Sequence, residues 1–324
     1  MIKITNFYSE EEIERYYQFL IARKPKKKSG DTWISDRKIN EVGNEIVELL
    51  KKMPRNNTDN TEEISDFKEL ITMSFSKLKK FKNSLRTEDS YYQQLCNDES
   101  NRELLNLYKS YYTRFFTSDD GKIKIKNNIS LIKDLGITVC PYCNRNYINS
   151  RHDKLGCEFD HYYNKDNFPF FALTLSNLIP SCSTCNRIKG NADYDFCPFD
   201  PDWKENGKFI VSPSSKKSSI ALFFGRDSQS DNLLQLETAY EIHEKDVSEM
   251  FRREEIYCRE YRRDLMNRLN TYGIVGEEFA EEFFDHMIFG EIASDDFNDY
   301  LNHSLSKLKK DTYDYIVKLR EGEV

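Results

Sequence analysis

A chain of 324 residues, 38% hydrophobic, 14% aromatic and 32% charged, has enough apolar material for two or three buried cores and is too mixed in composition for disorder. No stretch approaches the ~20 consecutive apolar residues of a membrane helix, and Met1-Ile2-Lys3-Ile4-Thr5 opens without an apolar signal-peptide core. These features argue against membrane insertion, secretion and low-complexity roles, and a cytoplasmic location is expected. The net charge of −7 is unevenly spread: residues 1–120 are neutral, 121–220 carry +4 and 221–324 carry −11. The middle block is where a phosphate-bearing ligand is to be sought.

The first 120 residues read as helical. Ser9-Glu10-Glu11-Glu12 is a capping-box pattern, followed by Ile13, Tyr16, Tyr17 and Leu20 at helical spacing. Lys24-Pro25-Lys26-Lys27-Lys28-Ser29-Gly30 breaks that helix as a basic loop. Ile39, Val42, Ile46 and Leu49-Leu50 mark a second amphipathic helix ending near Pro54, and Ile64, Phe67, Leu70, Ile71 and Phe75 a third. Ser100-Asn101-Arg102-Glu103 reads as another capping box, before Leu104, Leu107, Tyr108, Tyr111 and Phe115. The aromatic stripe is read as core.

Thr117-Ser118-Asp119-Asp120-Gly121 punctuates the chain, and its texture then changes. Six of the eight Cys and five of the eight Pro fall between Ile129 and Trp203, among short β-prone runs. After a Ser/Lys-rich loop over Ser212–Ser219, helices are expected over Glu249–Leu269, Glu277–Phe289 and Phe297–Leu319, separated by Gly273, Gly276 and Gly290. The expected organisation is a helical region over 1–128, a compact cysteine-bearing domain over 129–205 and an acidic helical region over 206–324. The fold class is α+β.

Four cysteines form two knuckles, Cys140-Pro-Tyr-Cys143 and Cys182-Ser-Thr-Cys185, with 38 residues between them. Each C-x2-C turn puts two thiolates on one side of a tight loop, and two such turns complete a tetrahedral structural zinc site. Cys96, Cys157, Cys197 and Cys258 read as ordinary thiols, with Cys157 and Cys197 near enough in sequence to be substitute ligands.

Between the knuckles lie Glu158-Phe159-Asp160-His161-Tyr162-Tyr163, Phe168-Pro169-Phe170 and Ser176-Asn177-Leu178-Ile179-Pro180, and the second knuckle runs on as Cys185-Asn186-Arg187-Ile188-Lys189-Gly190. The order C-x2-C, D-H, N-L, C-x2-C-N-x2-K resembles the HNH (ββα-metal) nucleases, in the subset pinned by paired zinc knuckles. The resemblance covers about residues 138–195. It is most similar to the nuclease subunit of Septu-type anti-phage systems and to retron-associated HNH effectors.

The residues suit phosphodiester hydrolysis on chemical grounds. His161, with an ordinary pKa of ~6.5, can take a proton from water as general base. On a strand Asp160 and His161 point to opposite faces unless the strand is bent. The resemblance implies a distorted hairpin in which Asp160 and Asn186 hold catalytic Mg²⁺ or Mn²⁺ and Asn177 braces the loop and orients the base. Asn186 stands where the family often has its last His, so the motif here is His-Asn-Asn; an amide oxygen suits the harder Mg²⁺. Lys189, one helical turn beyond Asn186, is a candidate phosphate contact, with Arg187 and Arg145 beside it. His152, His243, His286 and His303 are read as structural or surface residues.

The expected activity is metal-dependent endonuclease cleavage of nucleic acid, with DNA favoured by the resemblance and an ATPase subunit of a defence system implied as partner. An RNA- or tRNA-cleaving toxin would use the same residues. A zinc-ribbon nucleic-acid-binding module would need the knuckles but not Asp160-His161.

Overall fold

A computed structural model describes residues 1–22, 37–56, 63–113, 130–151, 155–192, 194, 196–203, 207–214, 218–223, 234–271 and 280–322. The basic loop over 24–30, the punctuation at 117–121, Phe115, His152, Gly273 and Gly276 lie outside the described residues. The described elements are mostly helical, with two small two-stranded sheets, an α+β architecture. The chain packs as two compact units. One comprises Lys3–Tyr142 and Tyr147–Lys204; the other comprises Met1–Ile2, Cys143–Asn146 and Glu205–Val324.

In the first unit, helix α1 (Glu10–Ile21) begins with the expected capping box, Ser9 and Glu12 each accepting the other's backbone N–H. Its inward Tyr16 donates to the Leu173 carbonyl at 2.7 Å. Helix α2 (Ile39–Lys52) buries Val42, Ile46, Leu49 and Leu50 and stops before Pro54. The third expected helix is two, α3 (Phe67–Thr72) and α4 (Phe75–Ser84). Two local caps break it: Asp66 accepts from Glu69 N–H at 2.8 Å and Ser74 from Lys77 N–H at 3.4 Å, each starting its own helix. Gly43 of α2 faces the Phe67 ring, where a Cβ would lie 2.1 Å from Cδ2. The missing side chain is what lets α3 seat there.

Helices α5 (Ser90–Asn97) and α6 (Glu99–Tyr112) follow. The cap of α6 is Asp98, whose carboxylate accepts from Asn101 N–H, and not Ser100. Its Tyr108, Tyr111 and Tyr112 are buried, as a core stripe requires. Strand β1 (Glu158–His161) pairs antiparallel with β2 (Leu178–Ser181), with Asp160 opposite Ile179 and His161 opposite Leu178. Helix α7 (Ser183–Lys189) follows β2 at once and packs on β1. Gly190 ends it with φ +51°, a left-handed position that glycine adopts without strain.

In the second unit, β3 (Lys208–Ser212) pairs antiparallel with β4 (Ser219–Phe223), Ser212 opposite Ser219. The expected Ser/Lys-rich loop thus has strand at both ends; Phe209 and Val211 alternate inward with the period-two pattern of a half-buried strand. A short α8 (Leu236–Tyr240) comes next, and the expected helix over Glu249–Leu269 is observed as two, α9 (Glu244–Ile256) and α10 (Arg259–Thr271). The break falls at Tyr257, whose carbonyl accepts from Arg262 Nε at 2.6 Å. Helix α11 (Ala280–Phe289) precedes α12 (Phe297–Tyr300) and α13 (Ser306–Glu321), where one helix was expected. Leu305, at φ +61°, separates the last two and donates its N–H to the Asn144 carbonyl at 2.7 Å. Met250, Phe284, Ile288, Phe289 and Ile316 form a core cluster. Beside it Asp285 is bound by Arg262, Arg320 and Tyr313.

Candidate functional site

The four knuckle cysteines come together. Cys140, Cys143, Cys182 and Cys185 are buried, and their sulfurs all lie within 4.8 Å of one another. Sulfurs bound to one zinc at ~2.3 Å stand about 3.8 Å apart, so this donor set fits a tetrahedral Zn²⁺. The backbone is arranged for thiolates: Cys182 N–H points at Cys140 Sγ (3.3 Å) and Cys185 N–H at Cys182 Sγ (3.5 Å). An isolated bridge of Val139 with Tyr147 closes the first knuckle at its base. Cys157 and Cys197 are buried outside this set, Cys258 is exposed, and burial pushes the Cys157 thiol up to about 12.

Strand β1 and helix α7 meet through two polar pairs. Glu158 and Asp160, two apart on the strand, share a face, and Asn186 and Lys189, three apart on the helix, share the facing one. Asn186 Nδ2 donates to Glu158 Oε2 at 2.6 Å. Lys189 Nζ lies 3.1 Å from Asp160 Oδ2 and also donates to the carbonyls of His161 (3.2 Å) and Tyr162 (3.3 Å). The Tyr142 hydroxyl donates to the same Asp160 Oδ2 at 2.6 Å. Both ionised side chains are withdrawn from water, Lys189 at 0% and Asp160 at 3% exposure. Burial pushes the Asp160 carboxyl above the usual carboxylate range, against the pull of Lys189 and Tyr142.

His161 has different neighbours from Asp160, as alternation along the strand requires. Its Nε2 is 3.0 Å from the Ala172 carbonyl, and its ring packs on Tyr112 in a T-shaped contact, 4.3 Å between centroids. A carbonyl only accepts, so Nε2 carries the proton and Nδ1 the lone pair. Among the described residues Nδ1 has no hydrogen-bond partner. Burial pushes the imidazole down to about 3, so it is neutral at physiological pH.

Asn177 is fully buried and braces the loop after β1. Its Oδ1 accepts from Tyr163 N–H at 2.8 Å, and its Nδ2 donates to the carbonyls of Tyr163 (3.0 Å) and Phe171 (3.2 Å). The amide thus ties both ends of that loop, at Tyr163 and at Phe171, and the imidazole holds the next carbonyl, that of Ala172. Lys189 faces inward, Arg187 is exposed with its Nε on its own helix carbonyl at Ser183, and Arg145 donates to His243 Nε2 at 3.2 Å. His243 in turn holds Asp246 through Nδ1 at 2.8 Å.

Sequence reasoning missed Glu158, Tyr142 and Lys165. Glu158 was accessible from the two-residue period of β1. Tyr142, inside the first knuckle, carried no local sign that its hydroxyl serves Asp160. Lys165 sits four residues past His161, and its ammonium lies 5.2 Å from the Tyr112 ring centroid.

The catalytic Mg²⁺ or Mn²⁺ expected at Asp160 and Asn186 does not fit this donor set. Asp160 is filled by an ammonium and a phenol, and the Asn186 amide is turned to Glu158. Among the described residues no helix is long and apolar enough to cross a membrane. Comparison with protein-family models, with curated proteins and with solved structures gives no match.

Proposed function

We propose that the chain is an endonuclease of the HNH kind, hydrolysing nucleic-acid phosphodiester bonds at His161 in a unit pinned by zinc. One observation carries this reading: the His161 imidazole is fixed by the Ala172 carbonyl with its Nδ1 lone pair unengaged among the described residues. That is the preparation a general base requires.

In the proposed step, Nδ1 accepts a proton from water while the water oxygen bonds to phosphorus. The bond from phosphorus to the leaving sugar oxygen breaks, and that oxygen takes a proton from solvent. An imidazole held near pKa 3 is a weak base in the resting protein. A phosphodiester anion beside it stabilises the imidazolium and raises that value, so base strength is coupled to substrate binding. The zinc would supply only cross-linking, through Cys140, Cys143, Cys182 and Cys185. The engagement of Asp160, Asn186 and Lys189 with protein partners supports a second reading, a zinc-ribbon binding module without catalysis.

The resemblance favours DNA and a defence role with an ATPase partner, and the +4 middle block supports a polyanionic ligand. The −11 C-terminal block is a poor polyanion surface and is better suited to a protein partner. Purified chain is incubated with plasmid DNA and with total RNA, in EDTA and with Mg²⁺ or Mn²⁺, beside His161→Ala. Cleavage that falls 10² to 10⁴-fold in the variant supports the nuclease reading. Binding without cleavage in every arm supports the binding module. Undiminished cleavage by His161→Ala overturns the role of His161.

A further inference from the structure

We propose that Lys165 is the cation that holds the scissile phosphate beside His161, a role that sequence spacing had given to Lys189. The proposal rests on the nuclease reading above and names the substrate-binding group of that same site.

A phosphodiester brought to Nδ1 needs a positive partner that is close, oriented and not already neutralised. Among the described residues, two of the cations near His161 fail this test. Lys189 is spent on Asp160 and two carbonyls and has no exposed surface. Lys109 is paired with Asp166 at 2.9 Å. Lys165 remains, and among the described residues it has no carboxylate partner.

Its position is set by the turn that leaves β1. Asn164 Oδ1 accepts from Asp166 N–H at 2.6 Å, and the Asn164 carbonyl accepts from Phe168 N–H at 2.8 Å, so the backbone on both sides of Lys165 is held. From there the ammonium reaches the Tyr112 ring at 5.2 Å, within cation–π range. The same ring touches the His161 imidazole at 4.3 Å between centroids. Tyr112 therefore contacts both the ammonium and the imidazole. Of the charged side chains acting on the imidazole, Lys165 acts most strongly, ahead of Lys189 and Asp166. Asp166, the next residue in the chain, is hydrogen-bonded by Lys109 at 2.9 Å, which together with the weaker pull of Lys165 keeps its carboxyl below the usual carboxylate range, and it makes no direct ion pair with Lys165 among the described residues. The aromatic contact steers the ammonium without consuming its hydrogen bonds, which leaves them for phosphate oxygens.

The arrangement also bears on the expected metal. A phosphorane needs a stabilising positive charge, and Lys165 supplies one where Asp160 and Asn186 are otherwise engaged.

The test uses the full-length chain in two arms. In the binding arm, a short single-stranded DNA oligonucleotide is titrated against His161→Ala and against His161→Ala carrying Lys165→Ala, Lys165→Gln or Lys165→Arg, over a range of salt. In the cleavage arm, Lys165→Ala, Lys165→Gln and Lys165→Arg are compared with the unaltered chain, with Lys51→Ala as a distant surface control.

The expected result is roughly ten- to a hundredfold weaker binding for the Ala and Gln variants, a salt slope lower by about one, and substantial rescue by Arg. In cleavage the loss is expected mainly in KM, with the control unchanged. Because the Lys165 side chain is partly buried and its turn is held by backbone and by Asn164, Gln keeps the test interpretable should Ala disturb the loop. Cleavage that needs His161 yet is indifferent to Lys165 overturns this proposal and leaves the nuclease reading standing. No cleavage by the unaltered chain, with oligonucleotide binding indifferent to Lys165, overturns both. No cleavage with binding that still depends on Lys165 removes the nuclease reading alone and keeps Lys165 as a phosphate-binding cation.

Discussion

The Lys189 ammonium lies 3.1 Å from the Asp160 carboxylate, with neither side chain reaching solvent. This pair joins the strand that carries His161 to the helix that carries two of the four cysteines, Cys185 within α7 and Cys182 at its cap. Two carbonyls and a phenol complete its hydrogen bonding, the condition under which a buried ion pair is tolerated.

Removing one partner should therefore cost more than removing both. Lys189→Met leaves an uncompensated carboxylate, and a loss of about 3–5 kcal/mol in urea unfolding is expected. Lys189→Met with Asp160→Asn should recover part of that loss. Equal stability of the single and double variants would show that the two charges are not coupled.

The cysteine cluster should hold about one zinc per chain, measured by elemental analysis. Its ligands are distant in sequence, so the metal closes a long loop and stabilises the folded chain alone. Stripping the zinc should lower the melting temperature markedly, and Cys182→Ser should do the same. Cys258→Ser should change neither zinc content nor melting, because that thiol is exposed and outside the cluster. An unchanged melting temperature after complete zinc removal would contradict a structural role.

The imidazole of His161 is held near pKa 3 in the folded chain and returns to ~6.5 on unfolding. Between those values the unfolded state binds a proton that the folded state refuses, so acid favours unfolding. The sign is that of a depressed base: its contribution is neutral above about pH 6.5 and increasingly unfavourable as pH falls towards 3. The slope approaches ~1.4 kcal/mol per pH unit, which should appear as the difference between the unaltered chain and His161→Gln. The difference is the quantity to measure, because the raised Asp160 carboxyl acts in the opposite sense. A His161 ring resonance that titrates normally near pH 6.5 would refute this.

The site was legible where its chemistry is local and illegible where it depends on chain segments far apart. The two knuckles showed their metal chemistry through spacing alone, and the period of two along β1 separated Asp160 from His161. Asn177 as a loop brace was readable only through family resemblance, since nothing local reveals three backbone partners. The inward turn of Lys189 was hidden because helical spacing gives a face but not what lies opposite. Tyr142, 47 residues before Lys189, decides that environment jointly with Asp160. Helix ends show the same limit: Ser9 was readable, whereas the break before α13 is made by Asn144.

Helix α13 begins after Leu305, which offers no side-chain cap. The cap comes instead from Asn144, whose Oδ1 accepts from Lys307 N–H at 3.0 Å and from Ser306 Oγ at 3.2 Å. Its Nδ2 donates to the Tyr300 carbonyl, and its own carbonyl accepts from Leu305 N–H. Asn144 is fully buried and sits at φ +49°, a region that Asn tolerates better than most residues. Asn144→Ala removes the cap, leaves the buried Lys307 N–H without its acceptor and leaves a β-carbon in a left-handed position, while the Tyr300 carbonyl keeps its bond from Ser306 Oγ at 2.8 Å. Loss of the cap with its buried Lys307 N–H, and the backbone penalty, together give an expected cost of about 2–4 kcal/mol. Asn144→Gly should cost less, because it relieves only the backbone. Asn144→Asp keeps the acceptor at the helix N-terminus and loses only the donor, so its cost should be smaller than that of Ala. Hydrogen exchange should show the first turn of α13 losing protection in the Ala variant while β1 and α7 keep theirs. An Ala variant as stable as the unaltered chain, with α13 equally protected, would show that the helix does not depend on this cap.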